Sequence, residues 1–127
     1  MSKKILVVDD VSINIDIISA ILEENGYDDI DTCLNARIAC DAIINRTSLY
    51  DLIITDISMP GMDGISFIKE LKENNITTPI IAMNSMIDDY LELQTYKAGA
   101  FLFIQRPYNP DIFIYQVNNI LERVKWM

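Results

Sequence analysis

The sequence predicts an α/β fold, a single doubly wound five-stranded parallel sheet with helices on both faces. Short apolar runs alternate with segments of helical periodicity, which is typical of buried parallel strands joined by helices. The connections are short, and right-handed crossovers between such strands place helices on both sides of a sheet. The chain has 127 residues, 50% of them hydrophobic, and this length and composition fit one domain.

The first strand–helix unit lies at the start of the chain. Residues 4–9 hold an apolar run that ends at Asp9 and is followed by Asp10, which predicts a buried strand. Residues 13–25 have apolar residues at spacings of three and four, which predicts a helix. Ser12 is expected to be the N-cap of this helix, and Gly26 is expected to end it.

The next two units follow the same pattern. Residues 30–34 alternate apolar and polar residues, as an edge strand does, and residues 36–45 are predicted to form a helix with Ile38 facing the core. Residues 52–55 predict the third strand. A loop rich in turn residues follows it, and residues 65–74 predict the third helix.

The last two units complete the sheet. Residues 80–83 predict the fourth strand, and residues 87–97 predict a helix that stops near Gly99. Residues 102–104 predict the fifth strand. The fifth helix is predicted over residues 110–125, because proline is favoured at the first position of a helix.

The charge and hydropathy of the chain limit its partners. The net charge is -9, so neither a basic surface for nucleic acid nor attraction to anionic membranes is expected. No apolar stretch approaches the roughly 20 residues of a membrane-spanning helix, and the N-terminus leads straight into a strand. These observations predict a cytoplasmic protein that binds neither nucleic acid through this domain nor membranes.

The residue types that are missing limit the chemistry. Histidine is absent, which excludes a histidine nucleophile, a triad base and an imidazole metal ligand. Cys33 and Cys40 match no metal-binding spacing and form no disulfide framework, so both are expected to be small buried residues. Any chemistry is therefore expected from carboxylates together with a hard cation.

Five polar residues lie where predicted strands end. Asp9 and Asp10 follow the first strand, Asp56 the third, Asn84 the fourth and Arg106 the fifth. In an open α/β sheet the carboxyl ends of the strands form one edge, where ligands bind. Three carboxylates, one amide and one guanidinium at this edge suit a divalent cation and a phosphoryl group.

The three carboxylates would repel one another without a cation. Two unit charges about 4 Å apart repel by roughly 4 kcal/mol at an effective dielectric constant of 20. Either one carboxylate takes up a proton or a cation lies between them, and oxygen ligands suit Mg²⁺. The alternative is that Asp9 and Asp10 are solvated carboxylates at the start of the first helix.

Asp56 is the candidate nucleophile of this edge. A carboxylate can attack phosphorus and hold the transferred group as an acyl phosphate. Such a transfer needs mainly in-line placement and neutralisation of charge. Arg106 can supply a cation that grips phosphate oxygens with its planar fork, or it can be an exposed partner of a surface acid.

Five segments of the sequence form a specific combination when taken in order. They are Ile-Leu-Val-Val-Asp-Asp at 5–10, Asp-Ile-Ser-Met-Pro-Gly-Met-Asp-Gly at 56–64, Pro-Ile-Ile-Ala-Met at 79–83, Ala-Gly-Ala at 98–100 and Arg-Pro at 106–107. In these segments the chain resembles the receiver domain of two-component response regulators. The resemblance treats residues 1–127 as one receiver domain, and it implies a flavodoxin-like sheet with strand order 2-1-3-4-5.

The resemblance implies a signalling module that accepts a phosphoryl group. The donor would be a histidine kinase or a phosphotransfer protein, and the acceptor would be Asp56. Mg²⁺ would be held by Asp10 and Asp56 directly, by the backbone carbonyl of Ser58, and by Asp9 mainly through water. The module would not be an enzyme, although it would catalyse its own phosphorylation and slow dephosphorylation.

Two phosphate-binding residues depart from the family pattern. The family usually has Thr or Ser where this chain has Asn84, and Lys where it has Arg106. An amide can donate a hydrogen bond as a hydroxyl does, but it is larger, and a planar guanidinium differs from a compact ammonium. The switch aromatic is Phe103, which has no hydroxyl. With Asn84 and Phe103 as switch residues, we expect a weaker conformational response than is usual in the family.

The resemblance also implies which residues tune the lifetime of the phosphoryl group. Ser58 and Met86 would flank the path of the hydrolytic water. Met86 is apolar and cannot orient water, which predicts slow dephosphorylation. The bond between Arg106 and Pro107 resembles the cis peptide of the family.

The signal is expected to leave through the face formed by helix four, strand five and helix five. Apolar residues near this face suggest a downstream protein partner or a homodimer, or they pack beneath the helices. They are Tyr90, Tyr96, Phe101, Leu102, Tyr108, Ile112 and Tyr115.

Two other functions are alternatives to the phosphoryl-accepting module. Because no output domain fits in the remaining residues, the module is expected to act by contact, alone or as part of a longer regulator. The alternative is a receiver-like interaction scaffold that works without phosphorylation, which Asn84 and Arg106 motivate. A Mg²⁺-dependent phosphohydrolase is disfavoured, because such enzymes usually have an acid where Ser58 lies.

Overall fold

The sheet is parallel and doubly wound, with helices on both faces, as the sequence predicts. The computed structural model describes residues 2–45, 49–86 and 88–122. In these ranges the strands are β1 (Lys4–Val8), β2 (Asp29–Cys33), β3 (Leu52–Asp56), β4 (Ile80–Asn84) and β5 (Leu102–Gln105). The helices are α1 (Ser12–Glu24), α2 (Ala36–Ile44), α3 (Gly64–Glu73), α4 (Asp89–Ala98) and α5 (Pro110–Leu121). The strand order is β2-β1-β3-β4-β5, which confirms the predicted order.

The alternation of side chains along each strand divides the core into two layers. Ile5 and Val7 of β1 point to the face covered by α1 and α5, whereas Leu6 and Val8 point to the face covered by α2, α3 and α4. All four are at most 3% exposed. Full burial of such a side chain stabilises the fold by about 1.5–3 kcal/mol. Both faces of the sheet are therefore covered by helices and stabilised by apolar burial.

Within the described ranges, none of the helices combines the length and the apolar character that a membrane span requires.

The start of α1 differs from the predicted one. Ser12 is the first helical residue and not the N-cap, so that prediction is wrong. The N-cap is Val11, whose side chain makes no capping hydrogen bond, and the backbone N–H of Val11 donates to Oδ1 of Asp9 at 2.9 Å. The other four helices have Asn or Asp side-chain caps. These are Asn35, Asp63, Asp88 and Asn109.

The ends of α1 and α4 agree with the prediction, whereas the rotation of α2 about its own axis does not. Gly26 and Gly99 have φ of 91° and 123° just past α1 and α4, as expected for residues that end helices. Ile38 is 64% exposed, so its predicted inward position is wrong. The inward face of α2 is formed instead by smaller residues together with Ile43. The predicted start of helix four at Ile87 and the predicted end of helix five at residue 125 lie outside the described residues.

Gly64 brings the start of α3 against the end of β3. A Cβ atom at this position would lie 2.3 Å from the backbone oxygen of Asp56 and 2.6 Å from Cα of Ile57. The Gly64 N–H donates to the backbone oxygen of Ile57 at 2.8 Å, which closes the loop that leads into α3. A residue without a side chain is therefore needed here for close approach.

We predict that Gly64→Ala destabilises the protein by about 2–4 kcal/mol, because the added methyl group overlaps backbone atoms that cannot move freely. The matched control is Gly61→Ala, whose Cβ would meet nothing within 4 Å but whose φ is 77°. That control should cost only about 1 kcal/mol, the usual cost of a side chain at positive φ. Urea unfolding of both variants measures the difference, and equal losses would contradict the close-approach explanation.

Candidate functional site

The predicted site residues lie together at the carboxyl edge of the sheet. Asp56 and Asn84 are the last residues of β3 and β4, Asp9 follows β1 directly, and Arg106 follows β5 directly. Strand β3 pairs with β1 on one side and with β4 on the other. The parallel topology therefore gathers at one edge the polar residues that are far apart in the sequence.

Three carboxylates form an acidic cluster at this edge. One oxygen each of Asp9, Asp10 and Asp56 lies within 4.8 Å of the other two. Asp9 is 1% exposed and Asp56 is 6% exposed, whereas Asp10 is exposed to solvent. Asp9 is therefore not a solvated carboxylate. Clustered oxygen ligands with one exposed member suit a hard divalent cation that keeps some of its water.

Hydrogen bonds from helix α1 orient Asp9. Its Oδ1 accepts from the backbone N–H of Val11 at 2.9 Å, and its Oδ2 accepts from Nδ2 of Asn14 at 3.2 Å. The sequence analysis missed Asn14. The available signal was a polar residue in the first turn of the helix that follows the acidic pair. The first turn of such a helix lies next to the end of the preceding strand.

Arg106 links two members of the acidic cluster. Its Nη2 donates to Oδ2 of Asp9 at 2.8 Å, and its Nη1 donates to Oδ1 of Asp56 at 3.2 Å. The arginine side chain is 18% exposed, so Arg106 is not an exposed partner of a surface acid. The peptide bond between Arg106 and Pro107 is cis, in agreement with the resemblance.

The surroundings of Asp56 disfavour the charged form of its carboxyl group. Burial raises its pKa above the usual value, and the negative charge of Asp9 raises it further. The positive charge and the hydrogen bond of Arg106 act in the opposite direction but leave the net shift upward. A second cation next to Asp56 would therefore favour the ionised form that a nucleophile needs.

Asn84 presents a donor without a partner. Its Oδ1 accepts from the backbone N–H of Ser85 at 3.0 Å and from the hydroxyl of Ser58 at 3.4 Å. Its Nδ2 is buried and has no hydrogen-bond partner in the described part of the chain. An unsatisfied buried donor costs free energy, so it is a feature that a ligand oxygen at this edge could relieve.

The remaining predicted residues lie around the cluster. Ser58 and Met86 are both exposed, with 57% of Met86 accessible to solvent. Phe103 is half-buried against the core layer beneath α2, α3 and α4. Its backbone N–H donates to the hydroxyl of Tyr96 at 3.0 Å, a link between β5 and α4 that the sequence analysis missed. The two cysteines are free, and Cys40 is buried as predicted whereas Cys33 is only partly buried.

The acidic cluster fits a divalent cation by its donor set. Arg106 occupies one oxygen of Asp9 and one of Asp56, whereas Asp10 has no hydrogen bond or ion pair with any described residue. Three carboxylates and one guanidinium leave an excess of negative charge that a hard cation can balance.

Known proteins are similar to this chain in sequence and in fold. The family model for the response regulator receiver domain matches residues 5–118. Chemotaxis protein CheY of Bacillus subtilis is 31% identical over 121 residues, which cover 95% of this chain and 99% of that protein. Regulatory protein VanRB of Enterococcus faecalis is 31% identical over 123 residues, which cover 97% of this chain but only 54% of VanRB.

A solved structure agrees with these sequence matches. The receiver domain of the Francisella response regulator 1452 superposes with a TM-score of 0.84 and 33% identity, covering 98% of this chain and all (100%) of that domain. Since sequence and shape agree along nearly the whole length, the chain belongs to the response regulator receiver domain family of two-component systems.

Proposed function

We propose that this receiver domain accepts a phosphoryl group on Asp56 in the presence of Mg²⁺ and relays the change to a protein partner. The donor would be the phosphohistidine of a histidine kinase or of a phosphotransfer protein. The observation that carries the proposal is the position of Asp56, a buried carboxylate with two other acids and one guanidinium around it. Residues 1–127 would form one receiver domain, and this domain would work in the cytoplasm.

The transfer needs a nucleophile, a leaving group and balanced charge. An oxygen of Asp56 would form a bond to phosphorus while the phosphorus–nitrogen bond of the donor breaks, and the imidazole would keep the electron pair and take up a proton. Asp10 and Asp56 would hold Mg²⁺ directly, together with the backbone carbonyl of Ser58, and Asp9 mainly through water. The bound cation supplies neutralisation of the phosphoryl oxygens.

Two donors on the protein would meet the phosphoryl oxygens. Arg106 lies within hydrogen-bond distance of Asp56, so its planar fork would need only a small movement to reach a group bonded to that residue. The partnerless Nδ2 of Asn84 offers a second donor at the same edge. A phosphoryl group would thus relieve the buried donor and provide a new partner for the guanidinium.

The outgoing surface is proposed to be the face formed by α4, β5 and α5. Four large apolar residues on or beside these elements are more than half exposed, so they do not pack beneath the helices. They are Tyr90, Phe101, Ile112 and Tyr115. The hydrogen bond from the Phe103 backbone to Tyr96 joins two elements of this face. We propose a downstream protein partner or a second copy of the chain as its occupant.

A second candidate function is an interaction scaffold that works without phosphorylation. It is favoured by one observation, the pairing of Arg106 with both Asp9 and Asp56, which balances charge within the free protein. Failure to take up a phosphoryl group from any donor would favour the scaffold over the phosphoryl-accepting module.

We predict a single phosphoryl adduct on Asp56. Incubation with a small acyl-phosphate donor and Mg²⁺ should give one acid-stable, base-labile adduct in intact-mass spectra of the wild-type protein, and Asp56→Asn should abolish it, because an amide is not a nucleophile toward phosphorus. The control is Asp63→Asn, which keeps the cap of α3 and should be phosphorylated like the wild type. An adduct that persists in Asp56→Asn would overturn the assignment.

We predict that the phosphorylated wild-type protein shows only small amide shifts along α4, because the amide of Asn84 is already anchored through its oxygen. Asn84→Thr should enlarge those shifts, since a small hydroxyl can move toward the phosphoryl group. Two-dimensional NMR spectra before and after phosphorylation measure the difference. Asn35→Thr, at the cap of α2, is the control and should change nothing at α4. A large displacement of α4 in the wild type would refute the weak-response hypothesis.

We predict that dephosphorylation is slow and that Met86→Glu accelerates it by about tenfold, because a carboxylate can orient the hydrolytic water where a thioether cannot. Decay of the adduct followed by mass spectrometry gives the rate. The control is Leu49→Glu, an equally exposed position (62%, against 57% for Met86) that precedes β3 at the opposite edge. Unchanged decay in Met86→Glu would count against a role for this position.

A further inference from the structure

Arg106 grips two of the three carboxylates that would hold the cation. The contacts to Asp9 at 2.8 Å and to Asp56 at 3.2 Å use two different nitrogens of one guanidinium. Because the group is planar and its donors are fixed relative to one another, both contacts hold as a unit. The side chain is also mostly buried, at 18% exposure, so solvent screens these contacts only in part.

Asp9 is satisfied by the protein at both of its oxygens. Oδ1 accepts from Val11, and Oδ2 accepts from Asn14 and from Arg106. A cation that approached this carboxylate would meet oxygens already engaged by donors and a positive charge within hydrogen-bond distance of them. Asp10, by contrast, faces solvent and has no protein donor in the described ranges.

We propose that Arg106 is an internal competitor of the divalent cation and that its grip on Asp9 and Asp56 sets the cation affinity of the acidic cluster. This inference rests on the proposed function, because the cation site is the one at which Asp56 would be phosphorylated. In the free protein the guanidinium supplies part of the compensating charge. A divalent cation gains less from carboxylates that are already paired, and it is repelled by the nearby guanidinium.

A lysine at this position would compete less. Its ammonium is a compact point charge on a flexible stem, and it cannot hold two carboxylates with a rigid pair of donors. The guanidinium therefore lowers the cation affinity more than an ammonium does. An uncharged side chain at this position would not compete with the cation, so the affinity would be highest.

The test is a titration of the metal-free protein with Mn²⁺, a divalent ion with the same preference for oxygen ligands, followed by electron paramagnetic resonance of the free ion. We expect Arg106→Gln to bind Mn²⁺ about tenfold more tightly than the wild type, and Arg106→Lys to have an intermediate affinity. The readout is a dissociation constant and does not depend on phosphorylation.

Arg37→Gln is the matched control. Arg37 also pairs with two carboxylates, those of Asp41 and Glu70, but on the surface between α2 and α3. The substitution removes the same charge, so it reports the effect of net charge alone. We expect its Mn²⁺ affinity to remain within about twofold of the wild type, because Arg37 contacts none of the three clustered carboxylates and solvent screens its exposed charge.

A second measurement keeps the test valid if one variant is poorly folded. Urea unfolding with and without Mn²⁺ should show Arg106→Gln to be less stable than the wild type in the metal-free state, and more strongly stabilised by the ion. Arg106→Lys retains a cation and serves as the conservative variant. The same order of ion-induced stabilisation is expected in both measurements.

The outcomes separate this inference from the proposed function. Equal Mn²⁺ affinities in the wild type, Arg106→Gln and Arg106→Lys overturn the inference and leave the cation site in place. An equal gain in Arg37→Gln and Arg106→Gln also overturns it, since net charge then explains the change. Absence of Mn²⁺ binding in every variant overturns the proposed cation site itself.

Discussion

Mutual repulsion among Asp9, Asp10 and Asp56 is the constraint on which the site depends. The three carboxylates converge because β1 and β3 are neighbours in a parallel sheet, so the fold itself brings them together. Strand β5 lies two positions away from β3, with β4 between them. Arg106 must therefore reach past β4 to balance the charge, which only a long side chain can do. The pKa of Asp56 is raised chiefly by burial and further by the charge of Asp9, and Arg106 reverses only part of this shift.

The sequence predicted the fold and the place of the site well, for a physical reason. A buried parallel strand is an apolar run, and the first polar residue after it marks the sheet edge, so Asp9, Asp56 and Asn84 could be located without coordinates. Side-chain direction could not be obtained in this way. The hydrogen bond between Val11 and Asp9 depends on where the carboxylate of Asp9 points, and the exposure of Ile38 depends on the rotation of α2 about its own axis.

The contacts within the site were also beyond sequence analysis, because they combine residues from several elements. The anchoring of Asn84 through its oxygen needs the hydroxyl of Ser58 from the neighbouring loop. The double contact of Arg106 needs the separation between the ends of β1 and β3. Both contacts involve Asn84 and Arg106, so these two residues decide how charge and hydrogen bonds are distributed at the sheet edge.

The close approach of α3 to β3 distinguishes the two sides of Asp56. On one side Gly64 lies directly against the backbone of Asp56 and Ile57, so there is no space for α3 to move closer. On the other side the contacts are side-chain hydrogen bonds, from the hydroxyl of Ser58 to Asn84 and from Arg106 to Asp56. Because hydrogen bonds can exchange partners whereas closely packed backbone cannot be compressed, a rearrangement that starts at Asp56 is expected toward β4 and β5.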